Sequence, residues 1–128
     1  MNLYRLFILS FIMTLLALGA FIVSYFHALA GIIELVGREE ASVLPVEVFR
    51  RIFSPALIIS GLVLTVAGIL YKVLGIVFIA RNPNLESGEK AMWIIGFVML
   101  GFITAIVFMA MASSRNLTVK ERVAPVKY

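Results

Sequence analysis

Three long uncharged runs dominate the hydropathy pattern of this chain. They cover residues 6–33, 52–71 and 91–114, and a mostly apolar stretch, 72–80, extends the second. A helix needs about 20 apolar residues to cross the hydrocarbon core of a bilayer. The pattern therefore predicts three membrane-spanning helices, at about 6–33, 54–80 and 90–113. The first is the longest, so it must tilt or extend beyond the core.

Two polar loops of different character separate these runs. The first loop contains Pro-Val-Glu-Val-Phe-Arg-Arg-Ile-Phe at about 45–53, with apolar and charged side chains on opposite sides of a helix. This spacing predicts a short amphipathic helix on the membrane surface. The second loop, from Arg81 to Lys90, is rich in turn-forming residues, which predicts an antiparallel hairpin of the second and third spans. A basic C-terminal tail follows at 114–128.

The composition agrees with a membrane protein. Hydrophobic residues make up 62% of the chain, charged residues 14%, and the mean hydropathy is +1.09. Soluble domains are about 45–50% apolar and about 25% charged, and a small soluble core could not bury so much apolar surface. We therefore predict an all-α integral membrane protein that forms a single membrane domain over residues 1–128. Cysteine is absent, which excludes disulfides and thiolate metal ligands within this chain.

The positive charges predict an orientation for three spans. Loop one and the tail together carry seven Lys and Arg residues, whereas the N-terminus and loop two carry four. Since cytoplasmic segments are enriched in Lys and Arg, the expected arrangement has the N-terminus outside and the C-terminus in the cytoplasm. The expected location is the plasma (inner) membrane, with anionic lipid headgroups against the basic tail.

Small residues recur every seven positions in the first two predicted spans. These residues are Ser10, Ala17, Ser24 and Gly31 in the first span, and Ser54, Gly61, Gly68 and Gly75 in the second. Seven residues make about two helical turns, so each set forms a stripe that allows close helix packing. We expect the two stripes to face each other, with Ser24 near Gly61 and Ala17 near Gly68. A shorter version in the third span comprises Gly101, Ala105 and Ala112.

Three ionisable residues lie in or at the ends of the spans, where such groups are costly and are functional candidates. Glu34 is expected to form an interfacial ion pair with nearby arginines, Arg51 among them. Lys72 is expected to reach loop two and pair with Glu89 or Glu86. Ion conduction is the alternative for both Glu34 and Lys72.

His27 is the only histidine of the chain. A neutral imidazole can be satisfied by Ser24, Ser54 or a backbone carbonyl, which is the structural interpretation. The alternatives are a haem ligand, a quinone hydrogen bond or a contact with a partner subunit. We expect no cofactor unless His27 binds haem or quinone.

Two short segments resemble known membrane proteins. His27-Ala-Leu-Ala-Gly31-Ile32 resembles the His-x-x-x-Gly-Ile segment of the three-helix membrane anchors of succinate dehydrogenase, which implies haem or quinone chemistry. In those anchors Arg-His follows and the later histidine ligates haem, whereas Ile33 and Glu34 follow here. The predicted second hairpin, with Lys-Ala-Met-Trp-Ile-Ile-Gly from Lys90, is similar to two-helix segments that precede phospholipase D-like domains.

No nucleophile–base pair, phosphate loop or cluster of metal ligands stands out in the sequence, so the chain by itself is not expected to be an enzyme. We predict a small non-catalytic accessory subunit of a larger membrane complex, of an energy-transducing or transport type. Its partners would be larger membrane subunits and lipid, and not nucleic acid. One alternative is a haem- or quinone-binding anchor that uses His27. Another is a homo-oligomeric channel or small transporter built around Glu34 and Lys72.

Overall fold

The computed structural model describes residues 2–37, 45–115 and 117, and this part of the chain is helical without any strand. Its helices are α1 (Leu3–Gly37), α2 (Pro45–Ile52), α3 (Pro55–Arg81), α4 (Ser87–Leu100) and α5 (Phe102–Ser114). The all-helical prediction is confirmed. The predicted basic tail lies outside the described residues except for Ser114, Arg115 and Leu117.

Two stretches are long and apolar enough to cross a membrane, Leu3–Gly37 and Pro45–Arg81, the latter joining α2 to α3. At 1.5 Å per residue, the 35 residues of α1 extend about 52 Å and the 27 residues of α3 about 40 Å. Hydroxyl groups inside these helices bond to their own backbone. Thr14 Oγ1 donates to the carbonyl of Ser10 at 2.8 Å, and Thr65 Oγ1 donates to the carbonyl of Gly61 at 2.8 Å. Such bonds satisfy polar side chains in an apolar helix without a partner helix.

The short helix predicted at 45–53 is present as α2. Pro45 begins it, Glu47 lies in its first turn, and Arg50 and Arg51 lie in its last turn. This order of charges complements the helix dipole. α3 then starts at the Ser54-Pro55 pair, where Ser54 Oγ accepts a bond from the backbone N–H of Leu57 at 3.4 Å.

The third predicted span, about 90–113, is not one helix, which corrects the sequence-based prediction. Gly101 interrupts it with φ 31° and ψ −76°, a conformation that residues with a Cβ rarely adopt. The chain reverses there, and α4 and α5 pack against each other as an antiparallel hairpin. At about 20 Å each, both helices are shorter than the roughly 30 Å hydrocarbon core. The hydropathy pattern did not predict this reversal, because it occurs at a single glycine within an unbroken apolar run.

The chain divides into two compact units. Unit 1 comprises the described residues of Met1–Phe7 and Lys72–Tyr128, and so holds the start of α1, the end of α3 and the α4–α5 hairpin. Unit 2 is Ile8–Tyr71, and holds most of α1, all of α2 and the first part of α3.

Candidate assembly sites in the two units

Unit 1 is organised around a cluster of aromatic rings. Phe7, Phe97 and Phe108 are fully buried, with ring centroids 5.8 Å apart for Phe7 and Phe97 and 5.9 Å apart for Phe97 and Phe108. Trp93 packs edge-on against Phe108 at 5.3 Å. Edge-to-face contacts at these distances stabilise a core beyond the burial of apolar area. The cluster therefore joins the first turns of α1 to both helices of the hairpin.

Gly75 of α3 lies directly beneath these rings. A Cβ at this position would come within 2.7 Å of the Phe97 ring and 3.0 Å of the Phe7 ring. Its buried neighbour one turn later on the same helix is Ile79. The last member of the α3 stripe is therefore a glycine because aromatic side chains occupy the space where its own side chain would be.

The two helices of the hairpin meet through small residues and one hydroxyl. Thr104 Oγ1 donates to the carbonyl of Gly96 at 2.9 Å, and a Cβ on Gly96 would lie 2.9 Å from the Thr104 methyl group. On α5, Ala105 and Ala112 are fully buried in line with Phe108. The small residues of the predicted third span thus pack inside unit 1.

Four residues lie at the open end of the hairpin: Asn82, Glu89, Arg115 and Leu117. Arg115 pairs with Glu89 at 2.9 Å, and Asn82 Nδ2 donates to the carbonyl of Leu117 at 3.4 Å. Tyr4, near the start of α1, packs on Phe78 of α3 with ring centroids 5.3 Å apart. The start of α1, the end of α3 and both ends of the hairpin therefore lie at the same end of unit 1.

Asn82 is a buried polar residue, 5% exposed, that fixes the loop between α3 and α4. Besides its bond to Leu117, its Oδ1 accepts from the backbone N–H of Asn84 at 3.0 Å. We expect Asn82→Ala to lower the free energy of unfolding by about 1–2 kcal/mol, because both backbone groups lose a partner. Thermal unfolding followed by the fluorescence of Trp93, the single tryptophan, measures this. Asn84→Ala, which removes an exposed side chain, should change it by less than about 0.5 kcal/mol; equal effects would contradict the role of Asn82.

Lys72 and Glu89 do not form the predicted ion pair. Glu89 pairs with Arg115, which the return of α5 brings to it. Lys72 is half-buried in α3, nine residues or about 14 Å before Arg81. Its side chain makes no ion pair or hydrogen bond within the part of the chain that the structure describes.

In unit 2, the side chain of Arg51 lies on Gly31. A Cβ on Gly31 would overlap the Arg51 guanidinium, and Gly31 itself is buried. Glu34 is exposed one helical turn farther along α1, so the guanidinium lies at the turn of α1 that leads to this carboxylate. Their pairing stays a prediction that this geometry suits.

The two small-residue stripes do not meet residue by residue as expected. A Cβ on Gly61 would contact the ring of Phe21 at 3.5 Å, one turn before the predicted Ser24. Around Gly68, where Ala17 was expected, no atom of the described chain beyond the neighbouring residues and backbone of α3 itself lies within 4 Å of an added Cβ. The ring of Phe21, and not the small side chain of Ser24, is what lies against Gly61. The packing role of the stripes stays a prediction.

Farther along the same pair of helices is an apolar groove of about 450 Å³. Ser10 and Met13 of α1 line one side, and Val66 and Leu70 of α3 line the other. Ser10 is buried, and Phe11 beside it packs on Tyr71 with ring centroids 5.5 Å apart.

His27 lies on the outside of α1. Its side chain is exposed, and it makes no hydrogen bond or ion pair with any residue in the described ranges. The expected bonds to Ser24, Ser54 or a carbonyl are therefore not formed. On the same helix, Val23 is 69% exposed and Phe26 is 64% exposed, so exposed apolar side chains flank the imidazole.

Sequence reasoning missed Asn82, Gly101 and Arg115 as the residues that shape the hairpin. A signal was present for Gly101, since an isolated glycine in a helical pattern lowers confidence in a continuous helix. No sequence signal pairs Arg115 with Glu89, because that contact depends on the reversal of the chain.

Among the described residues, no group of three histidine or acidic side chains is placed to hold a metal ion. A search of protein-family models finds no family that matches the chain, and neither a curated protein nor a solved structure matches it significantly.

Proposed function

We propose that this chain is a small non-catalytic accessory subunit of a larger membrane complex. It spans the membrane with α1 and α3, and it inserts the α4–α5 hairpin without crossing. Its work is to pack against larger subunits and hold them in the bilayer. An energy-transducing or transport complex is the type of assembly that we propose.

The observation that carries this proposal is the exposed imidazole of His27, which has no hydrogen-bond partner among the described residues. Leaving a polar group without a hydrogen-bond partner in hydrocarbon costs several kcal/mol in the extreme case, and polar residues within membrane helices usually face protein. Lipid tails offer His27 no partner. A neighbouring subunit does, and it would bury the apolar side chains of α1 that surround the histidine.

The open face of Gly68 supports the same proposal. An added Cβ there meets no described atom beyond the local residues of α3, so packing within the described chain does not require a glycine at this position. A glycine lets the backbone of a second helix approach closely. We propose that Gly68 and the neighbouring stripe residues contact a partner helix in the complex.

The hairpin also changes the orientation that we propose. Because α5 returns to the end of unit 1 where α1 begins, the start of α1 and the end of α5 belong on one side of the membrane. Arg5, Arg81, Lys90 and Arg115 then lie on that side, and the sequence that follows α5 carries three more Lys and Arg residues. Three lie between α1 and α3: Arg38, Arg50 and Arg51. By the positive-inside rule we propose that the start of α1 and the end of α5 face the cytoplasm, where basic residues can contact anionic lipid headgroups of the plasma (inner) membrane.

Purification of the tagged chain from its native membranes in a mild detergent tests the proposed function. We expect the chain to elute in a complex with larger membrane proteins at a fixed molar ratio, and to lack catalytic activity when it is separated from them. Elution of the chain alone, from membranes in which crosslinking before extraction also finds no neighbour, would contradict the proposal.

A haem- or quinone-binding anchor is the second candidate, and the exposed His27 favours it as well. An imidazole with no partner among the described residues can ligate haem iron or donate a hydrogen bond to a quinone carbonyl. A Soret band in the purified complex that is lost in His27→Ala would support haem binding. A colourless complex would exclude haem at this residue.

A further inference from the structure

The α4–α5 hairpin is apolar from its tip almost to its open end. No charged residue lies in the sequence between Lys90 and Arg115, and the open end carries the Glu89–Arg115 ion pair. Charged groups stay at the membrane–water interface because their burial in hydrocarbon is costly. The ten residues from Ala91 to Leu100 measure about 15 Å as a helix, half of the roughly 30 Å hydrocarbon core. With the open end at the interface, the tip therefore reaches the middle of the bilayer and no farther.

The outer surface of the hairpin suits the acyl chains of lipid better than another helix. Large apolar side chains are exposed from the open end to the tip, where Met99 is 79% exposed. Small residues, which would let another helix approach closely, are turned inward. Ala105 and Ala112 are fully buried, and Gly96 lies against Thr104. The hairpin therefore presents its bulky apolar side chains to a single layer of lipid.

We infer that this protein bends the membrane, because the hairpin adds helices to one leaflet only. Unit 1 contains four helical segments: the start of α1, the end of α3, α4 and α5. Among the described helices, only α1 and α3 are long enough to continue into the opposite leaflet. Two helices of about 10–12 Å diameter widen one leaflet by roughly 200 Å² and add nothing to the other. The leaflet that holds the hairpin becomes the convex side. The inference rests on the membrane insertion in the proposed function, and it needs no partner subunit.

The aromatic cluster fixes the hairpin to the two spans. Phe78 of α3 packs on Phe108 of α5 with ring centroids 5.9 Å apart, and Phe7 of α1 packs on Phe97 of α4 at 5.8 Å. Gly75 leaves room for the Phe7 and Phe97 rings against α3. Ring contacts thus join all four helical segments of unit 1, and a close-packed core is hard to compress. The lipid around the hairpin, and not the protein, must therefore adjust to the added area.

Sorting of the whole chain between flat and curved membrane tests this inference. The chain is reconstituted alone into giant vesicles of phosphatidylcholine and phosphatidylglycerol, and a narrow membrane tube is drawn from each vesicle. The chain has no cysteine of its own. Ser87→Cys labelled from outside with an impermeant fluorescent maleimide therefore marks molecules whose hairpin lies in the outer, convex leaflet. We expect the tube to be enriched in these molecules about twofold or more relative to a lipid dye, a bias of about 0.4 kcal/mol.

The opposite orientation provides a control of opposite sign. Val46→Cys labelled from outside marks molecules inserted the other way round, because Val46 is exposed in α2, between α1 and α3. The hairpins of these molecules lie in the inner, concave leaflet of the tube, so the tube should be depleted of them. Equal sorting of both populations, or sorting of neither, would overturn the inference, because asymmetry between the leaflets requires opposite signs.

Two methionines of α4 provide a test by substitution. Met99→Arg places a charge at the tip, in the middle of the bilayer, and should abolish the enrichment. Met92→Arg makes the same change seven residues earlier on the same face, near the charged open end, and should keep at least half of it. Both methionines are at least 60% exposed, so the fluorescence of Trp93 in detergent should stay unchanged. Enrichment that survives Met99→Arg, or that both substitutions abolish, would contradict a hairpin that ends at the midplane.

Purification of the native complex is a separate measurement, so the two proposals can fail independently. Absence of sorting beside a stable complex with larger subunits would remove the inference and leave the accessory-subunit proposal. Sorting of opposite sign for a chain that has no partner in its native membranes would keep the inference and remove that proposal. Labelling of Ser87→Cys and Ser113→Cys from opposite sides of the membrane would remove the hairpin topology on which the inference rests.

Discussion

The single substitutions Ser87→Cys and Ser113→Cys will each introduce a thiol that a membrane-impermeant maleimide reaches from the same side of the membrane. Both residues are exposed, the first at the start of α4 and the second near the end of α5. Because the chain reverses at Gly101, the two ends of the hairpin lie together, as the Glu89–Arg115 ion pair requires. In sealed right-side-out vesicles neither cysteine should be labelled until the membrane is permeabilised.

The control for this experiment is Val46→Cys in α2, which is 70% exposed. It lies between α1 and α3, so it should be labelled in sealed right-side-out vesicles. The full pattern is close to all-or-none, since an impermeant reagent reaches only one side. Labelling of Ser87→Cys and Ser113→Cys from opposite sides would restore a third span and contradict the hairpin.

Gly75→Leu will destabilise the protein by about 3 kcal/mol, at the upper end of the usual cost of overpacking a core. The added side chain would enter space that the Phe7 and Phe97 rings occupy, at 3.0 Å or less from its Cβ. Trp93 reports the loss directly, because it packs on Phe108 in the same cluster. Thermal unfolding in detergent, followed by tryptophan fluorescence, measures the change.

Gly68→Leu is the matched control, one heptad earlier on the same helix. Its Cβ meets no described atom within 4 Å beyond the local residues of α3, so the unfolding temperature of the purified chain should change little. In the native complex the same substitution should disrupt assembly much more than Ile69→Leu, since it fills a face that we assign to a partner helix. Equal unfolding curves for the two glycine variants would show that the aromatic cluster does not confine Gly75.

The apolar helices were predictable because hydropathy is a local property of the chain. About 20 consecutive apolar residues are sufficient to define a helix that can span a bilayer, and α1 and α3 follow the predicted runs closely. α2 was predictable for a similar reason, since a period of 3.6 residues separates its apolar side chains from its charges. The heptad spacing also identified Gly75, although not the rings that lie against it.

The hairpin was not predictable from hydropathy, because α4, Gly101 and α5 together form one apolar run. Its reversal depends on a single positive φ angle and on contacts between residues far apart in sequence, such as Thr104 with Gly96. The same reversal brings Arg115 to Glu89, and the two form an ion pair. Lys72 has no ion-pair partner in the described part of the chain. The hydropathy pattern offered no sign of this return of α5, so Lys72 was paired with loop two instead, whereas the pairing of Glu34 with Arg51 stays a prediction.

The sequence by itself determined that the chain is helical, which segments are apolar enough to span, and which few polar residues those segments contain. These properties follow from composition and period. The tertiary structure decided that the third apolar run folds back, and that His27 faces outward while Gly75 lies under aromatic rings. These features depend on which side chains fill the space between helices. Contacts between residues far apart in sequence determine which face of each helix is buried, and local hydropathy does not.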